Sequence, residues 1–338
     1  HTRYISVTGV QTCALPIYTV PGKNGVKDGA ASDAILEKLA GPTWKGKPDD
    51  VGGGGTVWDS MAYDPELDLL YVGVGNGSPW NQSIRSPGGG DNLFLASIVA
   101  LRPETGEYVW HYQETPGDEW DYTATQHMIL ADLTIDGQKR KVLMQAPKNG
   151  FFYVLDRTNG KLISATPYTK QTWTTGVDMK TGRPVMNPDA YYNRTGKPWV
   201  SLPGFLGAHN WHPMSYDPQT GLVYLSVHEI PTPYIRDEKF QWKQESNNLG
   251  LDLGKSTMPA DQAIVKAVKA QLQGRIVAWD PVKKKAAWTV DLGAPWNGGM
   301  LTTAGGLLFQ GTASGEFNAY DAKTGKKLWS FPAQSGIV

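Results

Sequence analysis

One spacing recurs along this chain, and few folds accommodate it. Ala100-x4-Thr105-Gly106-x3-Trp110 returns as Ala319-x4-Thr324-Gly325-x3-Trp329. Ala278 to Trp288 keeps the alanine and tryptophan but has Lys283-Lys284 where Thr-Gly would stand. Weaker copies run from Val154 to Ser164, with Asn159-Gly160, and from Ser215 to Leu225, with Thr220-Gly221. An apolar strand entering a Thr-Gly turn uses the backbone freedom that a tight hairpin needs. The next strand ends in a tryptophan, whose indole gains from burial against a neighbour. The last two copies start about 40 residues apart, within the range of four-stranded propeller blades. The expected fold is therefore all-β, with about five or six blade-like units of a β-propeller. Trp110, Trp288 and Trp329 are expected to be docking residues between blades.

Composition agrees and excludes several functions. Glycine (39) and tryptophan (13) are plentiful, as suits short strands and tight turns. Lysine plus arginine equals aspartate plus glutamate, 32 each, so no bias towards nucleic acid or anionic membranes exists. No run is long and apolar enough to span a bilayer. The single cysteine, Cys13, rules out a disulfide within the chain. No CxxCH pattern occurs, so haem c would belong only to a domain beyond Val338. The glycine run before Trp58 lacks the Gly-Lys-Ser/Thr of a phosphate loop. Lys23 to Lys47 reads as loop with a helical patch over Ala34–Leu39, Ser83 to Asp91 as a Gly/Pro-rich loop, and Tyr168 to Phe205 as an irregular insertion. Ile264, Val265, Val268 and Leu272 have helical spacing, so Ala260–Leu272 reads as an amphipathic helix packed on a blade.

Three short stretches carry the chemistry: Gly-Gly-Gly-Thr-Val-Trp at 53–58, Gly-Val-Gly-Asn at 73–76 and Gly-Asp-Glu-Trp-Asp-Tyr-Thr at 117–123. They supply an aromatic plate (Trp58), a neutral oxygen ligand (Asn76) and a carboxylate (Asp121). An asparagine oxygen is a hard ligand suited to calcium, although Asn76-Gly77-Ser78 also reads as an ordinary turn or glycosylation sequon. These stretches closely resemble the active-site segments of the pyrroloquinoline quinone (PQQ) dependent alcohol dehydrogenases, the methanol and ethanol dehydrogenase family. The resemblance extends over nearly all of the chain after Tyr18, including the tryptophan-docking repeats.

The resemblance implies a partial eight-bladed β-propeller of quinoprotein type, truncated at both ends. It implies that Trp58 lies flat against PQQ and Thr56 bonds the cofactor. Asn76 is then a metal ligand, and Asp121 both metal ligand and general base. Lys148, in the turn Pro147-Lys148-Asn149-Gly150, matches the family's cation at the quinone oxygens; lysine there tilts towards general alcohol enzymes. A positive charge there would stabilise the reduced quinol. Asn210 and Trp211 match a cofactor-contacting segment, and Trp296 and Asn297 another on the floor of the site. Thr123 occupies a position that is aspartate in lanthanide-using relatives, which points to calcium. Asp118 and Glu119 read as turn or surface groups. His209 and His212 have metal-like spacing, but a zinc site would need further ligands at recognisable spacing.

His1 to Ile17 stands apart. Val7 to Ile17 resembles an in-frame translation of a sequencing-library adapter, so residues 1–17 are read as an unstructured artefact. Residues 18–338 are then a partial PQQ-binding propeller domain. The family's calcium-binding glutamates, adjacent-cysteine disulfide and upstream arginine would precede Tyr18, and a later tryptophan segment would follow Val338. The expected parent is a periplasmic, calcium- and PQQ-dependent enzyme that oxidises small alcohols. Electrons would pass to a cytochrome c or a membrane quinone. The isolated chain is expected to be inactive. Two alternatives share parts of this pattern: a non-catalytic propeller scaffold of outer-membrane assembly type, and a PQQ-dependent sugar or polyol dehydrogenase. The scaffold would share the repeats but has no reason to hold Trp58, Asn76, Asp121 and Lys148 together.

Overall fold

A computed structural model describes residues 17–22, 29–46, 51–257 and 262–338. Four four-stranded antiparallel sheets follow one another, each with its strands in chain order. Blade 1 comprises Met61–Asp64, Leu69–Gly73, Ser97–Leu101 and Tyr108–Gln113. Blade 2 comprises Met128–Ile135, Gln138–Gln145, Phe151–Asp156 and Leu162–Pro167. Blade 3 comprises Ser215–Asp217, Leu222–Glu229, Gln273–Asp280 and Lys285–Gly293. Blade 4 comprises Met300–Thr302, Leu307–Gly311, Glu316–Asp321 and Lys327–Pro332. The five or six expected units correspond to four blades among the described residues. The reason is local: the Ser215 copy is the first hairpin of the sheet whose last hairpin is the Ala278 copy.

The repeated turns share one geometry. In each, the fifth residue donates its N–H to the first carbonyl at 2.8 Å: Gly106 to Arg102, Gly160 to Asp156, Gly221 to Asp217, Lys284 to Asp280 and Gly325 to Asp321. Lys284 takes the glycine's left-handed place with φ +59°. The copy lacking Thr-Gly therefore keeps the turn, at the strain a side chain meets in that region.

Blade contacts use the tryptophans twice in the same way. Trp110 of blade 1 lies against Gly160 in the last hairpin of blade 2. Its ring sits 5.5 Å from Tyr71, whose hydroxyl donates to the Arg157 carbonyl at 2.9 Å. Trp288 of blade 3 lies against Gly325 of blade 4. Its ring sits 5.7 Å from Tyr224, and the Tyr224 hydroxyl and Trp288 Nε1 both donate to the Ala322 carbonyl, at 2.8 and 3.2 Å. Blades 2 and 3 meet differently, through Phe152 stacked on Trp279 at 5.5 Å. Arg157 adds a buried ion pair across blades 1 and 2, its Nε 2.6 Å from Asp64. Trp329 departs from expectation: it remains 49 % exposed, in contact with Phe331 and Phe317 of its own sheet.

The irregular segments resolve into small elements. The patch near Ala34 is a helical stretch over Asp33–Thr43. The Ser83 loop begins with a short helix, Gln82–Arg85. The 168–205 insertion holds a hairpin of Thr174–Asp178 with Arg183–Met186, and a strand, Trp199–Ser201, paired with Thr232–Tyr234. The expected decorating helix is Gln262–Gln271. Val265, Val268 and Leu272 line an apolar cleft with Phe205 and Ile230. The adapter-like segment lies outside the described residues, Cys13 included, except for Ile17, which lies against Gly106.

Candidate functional site

The expected site residues lie on loops that touch in sequence around the blades. Gly53-Gly54 pairs with Gly77-Ser78. Gly55 N–H donates to Asn76 O at 2.9 Å, and Gly75 N–H to Thr56 O at 3.0 Å. The 117–124 loop joins the end of strand 69–73 through Ala124 N–H to Val74 O at 3.1 Å. The next loop joins through Lys148, whose carbonyl accepts Ala208 N–H at 3.0 Å. Trp296 N–H donates to His228 Nδ1 at 3.0 Å and brings in the last loop.

Asp121 and Lys148 form the centre. Lys148 Nζ donates to Asp121 Oδ2 at 2.8 Å, with both side chains buried. Burial raises the Asp121 pKa from the ordinary carboxylate value, and the Lys148 charge and hydrogen bond pull it back down. A buried carboxylate held by one ammonium is poised as a proton acceptor. Asp121 sits at φ +65°, a left-handed backbone that costs a side-chain-bearing residue energy.

Asp118 and Glu119, read above as turn or surface groups, are fully buried. Asp118 Oδ1 accepts the N–H groups of Trp120 and Tyr122, each at 3.1 Å. Burial pushes its pKa up to about 7, against the lowering influence of Arg85. Glu119 rises to about 8 by burial, with Arg194 and Arg85 opposing. Sequence reasoning also missed Arg85. It is wholly buried and donates to the carbonyls of Pro79 and Trp80, both at 2.7 Å, and to that of Asp118. A lone arginine in a Gly/Pro-rich loop reads as solvated; only the folded loop encloses it.

The remaining candidates differ in what they can still contact. Asn76 turns its amide NH2 back to Gly77 O at 3.0 Å. No hydrogen bond among the described residues engages its Oδ1. Trp58 is 43 % exposed, Trp211 is 39 % exposed, and Thr56 is exposed. Trp211 stacks on His212 at 4.3 Å and meets Trp296 edge-on at 6.2 Å. The two asparagines are engaged internally. Asn210 bonds Leu206 O and Trp211 N–H at 2.8 and 2.9 Å. Asn297 bonds Ala294 O and Ala313 N–H at 2.7 and 3.0 Å. Their side chains hold loops. Both His209 nitrogens face backbone carbonyls, Ala146 O at 2.7 Å and His212 O at 2.8 Å, leaving neither for a metal. Burial lowers the pKa of His209 to about 4 and of His212 to about 3.

Fold and loops together define a β-propeller in which a buried lysine–carboxylate pair joins the loop between blades 1 and 2 to a turn within blade 2. The β-propeller domain family of PQQ glucose, ethanol and alcohol dehydrogenases matches residues 34–170 and 164–337, and the chain belongs to it. It is 56 % identical over 324 residues to quinohemoprotein alcohol dehydrogenase ADH IIB of Pseudomonas putida, covering 95 % of this chain and 45 % of that protein. It is 52 % identical over 324 residues to the dehydrogenase subunit of the alcohol dehydrogenase (quinone) of Komagataeibacter europaeus, covering 95 % and 44 %. Among solved structures, quinohemoprotein alcohol dehydrogenase ADHIIG of P. putida superposes with a TM-score of 0.89 at 51 % identity, over 95 % of this chain and 47 % of that one. A europium-containing methanol dehydrogenase superposes with a TM-score of 0.75 at 35 % identity, over 84 % and 48 %. The chain thus spans under half the length of these relatives.

Proposed function

We propose that the protein carrying this chain oxidises small alcohols with PQQ and calcium, with Asp121 as general base. The observation that carries this reading is the buried Asp121–Lys148 pair at 2.8 Å, set in a chain 56 % identical to a quinohemoprotein alcohol dehydrogenase. The residues fit both groups. Asn76 Oδ1 and Asp121 are hard oxygen donors. Trp58 and Trp211 keep exposed indole surface, which suits a planar quinone. Thr123 is neutral, which favours a divalent cation over a trivalent one. Calcium takes about six to eight oxygens, so these two residues supply part of its shell.

Bound PQQ would supply a hydride acceptor against the Trp58 and Trp211 indoles, and calcium held by Asn76 and Asp121 would supply a Lewis acid. Asp121 takes the alcohol's hydroxyl proton on its carboxylate. Lys148 Nζ, 2.8 Å away, lowers the carboxylate's pKa and so opposes part of the larger upward shift that burial causes. A non-catalytic scaffold has no reason to hold Trp58, Asn76, Asp121 and Lys148 together. The relatives' names favour alcohols over sugars. A periplasmic location belongs to the same reading. So does electron transfer to a cytochrome c or membrane quinone, supported by relatives named 1-butanol dehydrogenase (cytochrome c) and alcohol dehydrogenase (quinone).

The test is cofactor binding by the full gene product, freed of PQQ. PQQ is expected to quench tryptophan emission only when calcium is present. Asn76→Ala is expected to raise the calcium concentration required. PQQ uptake indifferent to calcium and to Asn76 would contradict the reading.

A further inference from the structure

We propose that Asp118 and Arg85 are positioning residues that set the candidate base and the candidate cation ligand as one rigid unit. The proposal rests on the reading of Asp121 and Asn76 given above and extends it to two fully buried side chains.

Asp118 acts on the base. Its Oδ1 accepts N–H from Trp120 and Tyr122, each at 3.1 Å, the residues on either side of Asp121. Those two bonds close a tight turn around Asp121 and hold it at φ +65°. Aspartate enters that region more readily than most side chains but still at a cost, which the two Asp118 bonds offset.

Arg85 ties this turn to the Asn76 loop. Its guanidinium donates to Asp118 O on one side and to Pro79 O and Trp80 O on the other. The contact with the Asn76 loop is close. A Cβ added at Gly77 would lie 2.4 Å from Arg85 Cζ and 2.5 Å from Nε. Gly77 is thus required so that Arg85 can pass directly beneath the residue following Asn76. Arginine suits the task because its planar fork serves several carbonyls at once, which a lysine ammonium on a flexible stem does not. When ionised, Asp118 and Glu119 interact favourably with Arg85 and oppose part of the cost of its burial. The clamp therefore crosses from the strand-end loop of blade 1 to the loop between blades 1 and 2, fixing Asn76 and Asp121 to each other.

Three variants of the full gene product test this: Asp118→Ala, Asp118→Asn and Arg85→Lys. Each is measured for calcium affinity by titration calorimetry, and for kcat and KM with ethanol once PQQ is loaded. A misplacement of about 1 Å costs about 100-fold in rate. Asp118→Ala is therefore expected to lower kcat by about that factor with KM for ethanol little changed, and to weaken calcium binding. Asp118→Asn keeps an acceptor oxygen and is expected to recover most of both. Arg85→Lys keeps the charge and loses the span, so kcat and calcium affinity are expected to fall together while the unfolding midpoint stays measurable. Should Asp118→Ala fail to fold, Arg85→Lys alone carries the decision. Wild-type kcat and calcium affinity in Arg85→Lys, or equal losses in Asp118→Asn and Asp118→Ala, would overturn the proposal. Absence of calcium and PQQ binding in the wild type would instead overturn the reading beneath it.

Discussion

An added methyl at Gly160 or Gly325 is the sharpest perturbation of the blade contacts. Both glycines stand at φ +73°. A side chain in that region costs about 1–2 kcal/mol. At Gly160 the new carbon would also lie 2.5 Å from Trp110 Cε3 and 2.8 Å from Cδ2. At Gly325 it would lie 2.6 Å from Trp288 Cε3. Neither indole can swing clear, because each is backed by a tyrosine, at 5.5 and 5.7 Å between ring centres. Forcing carbon into a filled contact costs about a further 1–3 kcal/mol. Gly221 provides the reference: it stands at φ +69° in the same kind of turn, with nothing within 4 Å of an added carbon. Gly221→Ala is expected to cost the backbone strain alone, about 1–2 kcal/mol. Gly160→Ala and Gly325→Ala are expected to cost about 2–5 kcal/mol. Urea unfolding followed by tryptophan emission measures the difference, provided the m value is unchanged. Equal midpoint shifts for Gly160→Ala and Gly221→Ala would refute tryptophan docking as the link between blades.

Further expectations follow from burial and charge. Trp110→Ala is expected to destabilise by about 3–5 kcal/mol, while the half-exposed Trp329 is expected to cost about 0.5 kcal/mol on the same substitution; urea midpoints compare them. Removing the ammonium in Lys148→Ala leaves burial unopposed at Asp121, so the acid limb of the kcat/KM profile should move up by about 1–3 pH units; an unmoved limb would show that Lys148 does not set the base. His212 is depressed to about 3 from its ordinary 6.5. Between those values the unfolded chain binds a proton that the folded chain does not, so His212 costs stability as pH falls below 6.5, by about 1.4 kcal/mol per unit. His212→Phe should therefore gain on the wild type as pH drops and run parallel to it above neutrality; a gap independent of pH would contradict the buried neutral imidazole.

Much of this architecture was legible because its cause is local. A Thr-Gly turn and a tryptophan at fixed spacing specify a hairpin and its docking residue, and Trp110 and Trp288 dock as that spacing implies. The blade count was not legible, because hairpins at opposite edges of one sheet produce similar text, as Ser215–Leu225 and Ala278–Trp288 do. At the site, Asp121 and Lys148 were named separately, and folding brought them to 2.8 Å. Asp118 does close a turn, but its burial, that of Glu119 and that of Arg85 escape the sequence for one physical reason. Charged residues in polar loops are usually solvated, and these are enclosed only when loops from several segments close over them. Asn210 and Asn297 each bond their own loop as well, a role that their residue type alone does not reveal.

The most direct measurement is alcohol-dependent dye reduction by the full gene product with PQQ and calcium, beside Asp121→Asn. Loss of a catalytic base costs about 100- to 10,000-fold. Turnover that requires both PQQ and calcium, and that falls by such a factor in Asp121→Asn while PQQ is retained, is the expected result. Turnover undiminished in Asp121→Asn would remove Asp121 as the base. No turnover with any alcohol, in a protein that has bound both groups, would contradict the assignment as an alcohol dehydrogenase.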